Sequence, residues 1–148
     1  MIQLTILAVV LLAAVAVGVA LKLREGRVRT AKTIDIAGSR TELLSAVGVD
    51  EAVPTVLHFS ADWCGPCAAV RRVVAGVVAD LADTDQPPRD IEVDIDAEAE
   101  LARELNVLSL PTTFVFDARG RERFRISGVP KATDLRSALA PLTVPEAA

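Results

Sequence analysis

The chain contains two cysteines, Cys64 and Cys67, separated by two residues. They follow a β-branched and aromatic run at residues 54–60 and precede apolar residues of helical spacing, so a strand passes into a helix here. Unpaired N–H groups and the positive end of the helix dipole stabilise a thiolate at such a place. Cys67 lies one helical turn further on, within reach of the Cys64 sulfur. The spacing indicates thiol–disulfide exchange, in which one cysteine attacks a disulfide and the other resolves the mixed disulfide.

Two other uses of a cysteine pair fit this sequence less well. A closed structural zinc site takes about four ligands, and the chain offers two cysteines and a single histidine, His58. A structural disulfide across two intervening residues closes too short a loop to stabilise the fold much. We therefore expect redox chemistry and no metal.

The patterns around the cysteines predict the elements that position them. Alternation, apolar periodicity and turn residues predict the order β-α-β-α-β-α-β-β-α after residue 32. The expected strands cover residues 33–36, 54–60, 91–95, 112–116 and 121–126, and the expected helices cover residues 65–82, 97–105 and 133–140 together with one that begins near Ser39. Alternating units favour a parallel core sheet, and the late hairpin adds an antiparallel edge. The class is therefore α/β.

Composition divides the chain into an apolar N-terminal segment and an ordinary domain. Residues 2–21 carry no charge, and about 30 Å of helix is enough to cross a bilayer. After residue 21, 58 of 127 residues are hydrophobic, as in a folded domain. We expect a transmembrane helix at 1–23, a juxtamembrane linker with a short strand at 24–37 and a folded domain at 38–144. A cleaved signal peptide is the weaker alternative, since no basic residue precedes the apolar run.

Charge is distributed as unevenly as hydropathy. Residues 22–32 hold five Lys or Arg against one Glu, whereas residues 33–148 hold 11 basic and 19 acidic residues. Basic residues close to the end of a membrane span tend to stay in the cytoplasm. We therefore expect a single-pass protein of a bacterial cell membrane with its domain on the cytoplasmic side. An excess of Arg over Lys, 13 to 3, favours a GC-rich bacterial source. The acidic domain argues against nucleic-acid binding.

From about Pro54 to Leu142 the chain resembles thioredoxin. Residues 63–67 read WCGPC, the motif of that family, and residues 110–112, about 44 positions after the second cysteine, resemble its cis-proline segment. Gly128 matches the glycine beside the family's substrate groove. The resemblance implies the thioredoxin fold, a central mixed sheet flanked by helices, here preceded by one transmembrane helix.

The resemblance also assigns roles to individual residues. It implies that Cys64 attacks the substrate and Cys67 resolves, with no cofactor beyond the redox-active Cys64–Cys67 disulfide. It implies a peptide groove lined by Trp63, Gly65, Pro66, Leu110, Pro111, Gly128 and Val129. The implied partners are disulfide-containing protein substrates and an electron donor, either a thioredoxin-reductase-like protein or a membrane protein. A Gly-Pro dipeptide between the cysteines is typical of the reducing members.

Two positions depart from the family pattern. The family places a buried aspartate six residues before the first cysteine and a lysine on the neighbouring strand, whereas this chain has His58 and Glu92. Since histidine exchanges protons near neutral pH, we expect His58, assisted by Glu92, to take the proton of Cys67. The alternative is a core histidine that makes one hydrogen bond. The chain also has no Tyr, and Ser60 stands where the family often has an aromatic residue, so fewer aromatic side chains are expected behind the active site.

These features predict a membrane-tethered thiol–disulfide oxidoreductase that reduces protein disulfides. One alternative has the same chemistry outside the cytoplasm and keeps exported protein thiols reduced. Another is a redox-sensing interaction module without turnover, which the retained Cys64, Cys67 and Pro111 argue against. A peroxidase has no support, because the chain lacks a further reactive cysteine.

Overall fold

The computed structural model describes residues 2–24, 29–30, 38–50 and 52–145. Its helices are α1 (Ile2–Arg24), α2 (Gly38–Ala46), α3 (Cys67–Asp80), α4 (Ala99–Glu104) and α5 (Ala132–Leu139), the last followed by a 3-10 turn at Ala140–Leu142. Its strands are β1 (Arg29–Thr30), β2 (Thr55–Ser60), β3 (Arg89–Asp94), β4 (Thr112–Phe116) and β5 (Glu122–Ser127). From α2 onward, the elements follow the order that the sequence predicts, and β1 lies within the segment 24–37 where a short strand was expected. The strand expected at 33–36 lies outside the described residues.

Helix α1 is 23 residues long. Its side chains are described without a break from Val9 to Ala20, and all of these are exposed. When the described residues alone are considered, none of their helices is long and apolar enough to cross a membrane. The transmembrane helix expected at 1–23 is therefore not confirmed.

The five strands form one sheet in the order β1-β5-β4-β2-β3. Strands β2 and β3 are parallel, in a register that runs from Thr55 opposite Arg89 to Ser60 opposite Asp94. Strand β4 is antiparallel to both β2 and β5, and β1 is antiparallel to β5. The mixed sheet implied by the family resemblance is confirmed. The expected parallel pairing is present between β2 and β3, and the late hairpin is antiparallel as expected, but among the described strands the parallel part does not extend to β4, which is antiparallel to β2.

The two helices that follow β2 and β3 differ in length, and the strands after them differ in direction. A parallel strand needs a helix that carries the chain back along the preceding strand, about 20 Å for six residues. Helix α3 has 14 residues, about 21 Å, and β3 after it is parallel to β2. Helix α4 has six residues, about 9 Å, and falls short of that distance. Strand β4 starts near the end where β3 finishes and runs antiparallel to β2.

Strand β2 alternates between two apolar cores, one on each face of the sheet. Leu57 and Phe59 pack on one face with Phe114 and with residues of α2 and α4. Val56 packs on the other face with residues of α3 and α5. Because side chains alternate with a period of two, His58 also lies on the α3 face. All six residues of β2 are buried, so the strand that leads to the cysteines is held on both sides.

A substitution at Phe114 tests how much the first core stabilises the fold. Phe114 is fully buried, 5.9 Å from the ring centroid of Phe59, and the guanidinium of Arg125 lies 4.6 Å above it. Because Phe114→Ala leaves a cavity, we expect a loss of about 3–5 kcal/mol of unfolding free energy in urea titrations. Val144 is 60% exposed, and Val144→Ala should change it by less than about 0.5 kcal/mol. Equal losses in the two variants would contradict this account.

Candidate active site

The cysteine pair lies just beyond the carboxyl end of β2. The N–H of Cys64 donates to the Ala61 carbonyl at 3.0 Å, and the N–H of Cys67 donates to the Cys64 carbonyl at 3.2 Å. Helix α3 begins at Cys67, with Pro66 as its N-cap residue. Cys64 thus occupies the turn before α3, where the first N–H groups of the helix lack intrahelical partners.

Cys64 and Cys67 are joined by a disulfide, with Cα atoms 5.5 Å apart. Cys64 is half-buried, whereas Cys67 is 1% exposed. The Cys67 sulfur lies 3.9 Å from the Phe59 carbonyl oxygen, to which the thiol can donate a weak hydrogen bond once it is reduced. An incoming sulfur therefore meets Cys64 first, and Cys67 is the internal partner.

The loop before β4 and the loop after β5 meet beside the cysteine pair. The Leu110–Pro111 peptide bond is cis, and the Pro111 carbonyl accepts a hydrogen bond of 2.8 Å from the N–H of Gly128. Gly128 has a φ of +86°, which favours glycine. Thr112, which follows Pro111, pairs with Phe59, the residue whose carbonyl contacts Cys67. The register thus brings the cis-proline loop to the cysteines, as the resemblance implies.

The remaining residues expected in the groove differ in exposure. Trp63 is 70% exposed, and its Nε1 donates to Asp96 at 3.2 Å. Gly65, Pro66 and Val129 are also exposed, and Leu110 is half-buried. Sequence reasoning missed Leu108, which is 85% exposed and lies on the same loop as Pro111. An apolar residue three positions before the proline was the signal that could have revealed it.

His58 contacts a carboxylate that sequence reasoning did not name. The side chain is 2% exposed, and its Nε2 lies 3.1 Å from Oδ1 of Asp90 on β3. Glu92, the expected partner, is the Cα neighbour of His58 in the sheet register. Asp90 precedes Glu92 by two residues and lies on the same face of β3. Alternating acids on β3 were visible in the sequence, but which of them His58 reaches depends on side-chain direction.

Glu92 is bound by helix α3. Both carboxylate oxygens lie 2.7 Å from Nε of Arg71. The pKa of Glu92 falls from 4.5 to about 2, and this hydrogen bond is the largest cause; burial opposes the shift, whereas a hydrogen bond from Ser60 and the charge that His58 carries when protonated add to it. The same pairing raises the pKa of Arg71. Glu92 is therefore ionised and paired with Arg71, while Asp90 is the hydrogen-bond partner of His58.

A buried polar layer lies behind the cysteine pair. Within residues 2–24, 29–30, 38–50 and 52–145, no three His, Cys, Asp or Glu side chains are placed to hold a metal ion. Ser60 and His58 are buried on the α3 face of the sheet, and Thr113 lies beside them on β4 with its Oγ1 buried and without a hydrogen-bond partner. The cysteine pair is thus backed by a small buried polar layer.

Comparison with known proteins assigns the chain to a family. The thioredoxin family model matches residues 40–141, more than half of the chain. With the cysteine pair, the cis-proline and the mixed sheet in place, the chain belongs to the thioredoxin family.

Individual relatives agree with this assignment. The chain is 37% identical to thioredoxin H2 of Arabidopsis thaliana over 76 residues, 51% of this chain and 53% of that protein. It is 33% identical to the chloroplastic M-type thioredoxin of Chlamydomonas reinhardtii over 88 residues, 59% of this chain and 60% of that one. Mitochondrial thioredoxin 3 from Saccharomyces cerevisiae, in its oxidised form, shares the fold with a TM-score of 0.57 at 24% identity, over 69% of this chain and 89% of that one. The match thus spans 53% and 60% of the first two relatives.

The pairing of Glu92 predicts how stability responds to acid. Since the pKa of Glu92 is about 2 in the folded chain and 4.5 ordinarily, its pairing stabilises the fold above about pH 4.5 and is lost as the pH falls toward 2. We expect Glu92→Gln to remove this part of the acid destabilisation. At pH 7 it should cost at most about 1 kcal/mol, because the pair is partly exposed.

Urea unfolding of both proteins at pH 7, 4 and 2.5 measures this effect. Asp50→Asn is the control, because Asp50 also forms a surface pair with an arginine, Arg89. If the unfolding free energy of Glu92→Gln falls with acid as steeply as that of the unmodified chain, the expected contribution of the Glu92 pair is ruled out.

Proposed function

We propose that the chain is a thiol–disulfide oxidoreductase that reduces protein disulfides through a Cys64/Cys67 dithiol. The observation that carries the proposal is the cysteine pair itself, with one accessible and one buried sulfur at the start of α3. Membership of the thioredoxin family supports it. So does the exposed surface of Trp63 and Val129, which gives a peptide substrate apolar contacts beside Cys64.

The proposed reaction moves two electrons to the substrate in two displacements. The Cys64 thiolate attacks a substrate disulfide, so that one substrate sulfur leaves as a thiolate and the other stays bonded to Cys64. Cys67 then loses its proton and attacks the Cys64 sulfur. The second substrate sulfur leaves, and the Cys64–Cys67 disulfide remains. A dithiol donor, such as a thioredoxin-reductase-like protein or a membrane protein, returns the two electrons.

Serine variants of the two cysteines separate these steps. We expect Cys64→Ser to reduce the dithiothreitol-driven reduction of insulin to the uncatalysed rate, because the attacking sulfur is gone. Cys67→Ser should stop after one attack and accumulate a mixed disulfide, which non-reducing gels and mass spectrometry detect. Ser137→Ala on α5 is the control and should retain full activity. Activity that survives Cys64→Ser would refute the assignment.

We further propose that residues 2–21 attach this domain to a bilayer. The support is the uncharged run in the sequence and the exposure of apolar side chains of α1, such as Leu7 at 69% and Leu12 at 70%. Among the described residues, no helix is long and apolar enough to cross a membrane. The proposal of attachment therefore rests on the amino-acid sequence of residues 2–21. The basic residues at 22–32 favour a cytoplasmic domain.

Cell fractionation tests the attachment and the side of the domain. We expect the full chain to stay with bacterial membranes after a carbonate wash. Leu11→Asp with Val15→Asp should release it, because each acid in the middle of a span costs about 2.5–3.5 kcal/mol. Leu108→Asp, on the domain, is the matched control. Release of the unmodified chain would contradict attachment, and digestion of the domain by protease outside spheroplasts would favour the extracytoplasmic alternative.

A further inference from the structure

The resolving step needs a proton acceptor inside the domain. Cys67 is 1% exposed, so bulk water has little access to its thiol. In the described part of the chain, the buried side chains that can accept a proton are His58 and Asp117. Asp117 follows Phe116, which pairs with Thr55 at the far end of β2 from the cysteines. His58 is the acceptor at the cysteine end.

Two observations place His58 next to Cys67. His58 directly precedes Phe59, and the carbonyl oxygen of Phe59 lies 3.9 Å from the Cys67 sulfur. His58 also lies on the face of β2 against which α3 packs, and Cys67 is the first residue of α3. The imidazole and the sulfur are thus buried in the same layer, between the sheet and the start of α3.

We propose that Asp90 is a positioning residue that holds His58 ready to take the proton of Cys67. The inference rests on the proposed function. A carboxylate only accepts hydrogen bonds, so in the 3.1 Å contact Nε2 of His58 donates and Nδ1 of the neutral ring keeps its lone pair. Asp90 thereby fixes the orientation of the ring and stabilises the imidazolium that forms, in the manner of a carboxylate that orients a basic histidine.

The proton and the electrons balance in this step. The proton of the Cys67 thiol moves to Nδ1 of His58, and the electron pair of the broken S–H bond forms the bond to the Cys64 sulfur. The Cys64–substrate bond breaks, and its electron pair leaves on the substrate sulfur. The imidazolium then gives its proton to that thiolate or to water.

The other groups around His58 are compatible with this role. On β3, Glu92 is paired with Arg71 of α3 and holds a hydrogen bond from Ser60, so it is occupied. On β4, Thr113 is the Cα partner of His58, and its Oγ1 is buried without a hydrogen-bond partner while the disulfide is formed. That oxygen can accept a hydrogen bond from Nδ1–H after the proton has moved. Helix α5 contributes apolar side chains to this face.

The experiment follows the resolving step through the single tryptophan of the chain, Trp63, which precedes Cys64. The reduced full-length protein in detergent is mixed with excess oxidised glutathione in a stopped-flow instrument between pH 5 and pH 9. The rate of attack by Cys64 rises with the concentration of oxidised glutathione, whereas the rate of the intramolecular resolving phase does not depend on it. We expect Asp90→Asn to slow the resolving phase about tenfold and to move its pH midpoint to lower pH, with the attack phase unchanged.

Four further variants make the test decisive. His58→Ala should slow the resolving phase about 100-fold, and His58→Asp, which restores a buried proton acceptor, should recover most of that loss with a different pH profile. Glu92→Gln tests whether the effect on the resolving phase belongs to Asp90 or to Glu92, the Cα neighbour of His58 on β3. Glu104→Gln, on α4, is the neutral control.

The outcomes are separable from those of the proposed function. A resolving phase in Asp90→Asn with the rate and midpoint of the unmodified chain, at equal thermal stability, overturns the inference, as does a shift confined to Glu92→Gln. If the unmodified chain shows no attack phase at all, the proposed function itself fails. A merely structural role of Asp90 would lower thermal stability and leave the pH midpoint in place, which also counts against the inference.

Discussion

The site depends on the burial of strand β2 between β4 and β3 in the sheet. Its backbone is hydrogen-bonded to β3 on one edge and to β4 on the other, and its side chains are buried in a different core on each face. Because two neighbouring strands and two cores hold β2, its carboxyl end has a defined position, and the turn that carries Cys64 begins there. The same register sets Thr112 opposite Phe59, which brings the cis-proline loop to the cysteines. The position of the reactive sulfur is thus a consequence of core packing.

Carboxylates on one face of β3 form separate contacts because each one meets a different partner. Asp90 binds His58, Glu92 binds Arg71, and Asp94 accepts hydrogen bonds from the backbone N–H groups of Asp96 and Ala97. Three acids spaced two residues apart are equivalent in a sequence. They become distinct only when the neighbouring strand, the helix above and the following turn each supply a donor.

The sequence was sufficient for features that depend on local pattern. The order of elements from α2 onward, the cysteine turn and the strand at 112–116 were all predictable, because periodicity and turn residues act over a few positions. Helix ends were less accurate, since α3 was expected at 65–82 and runs from Cys67 to Asp80. The direction of β4 and the partner of His58 were not predictable in the same way. Both depend on distances between elements that are far apart in the chain, such as the reach of the short helix α4.

Strand β1 sets the direction from which the N-terminal part of the chain arrives. Arg29 pairs with Arg125 and Thr30 with Phe124, so the chain enters the sheet from the end where β5 reaches Ser127 and Gly128. Five residue steps separate Arg24 from Arg29, a reach of at most about 18 Å. Whatever holds α1 therefore lies within about 18 Å of chain of the end of the sheet at which the disulfide is found. Substrates held in the same place would meet the cysteines at a high local concentration, while freely diffusing ones would have to compete with them.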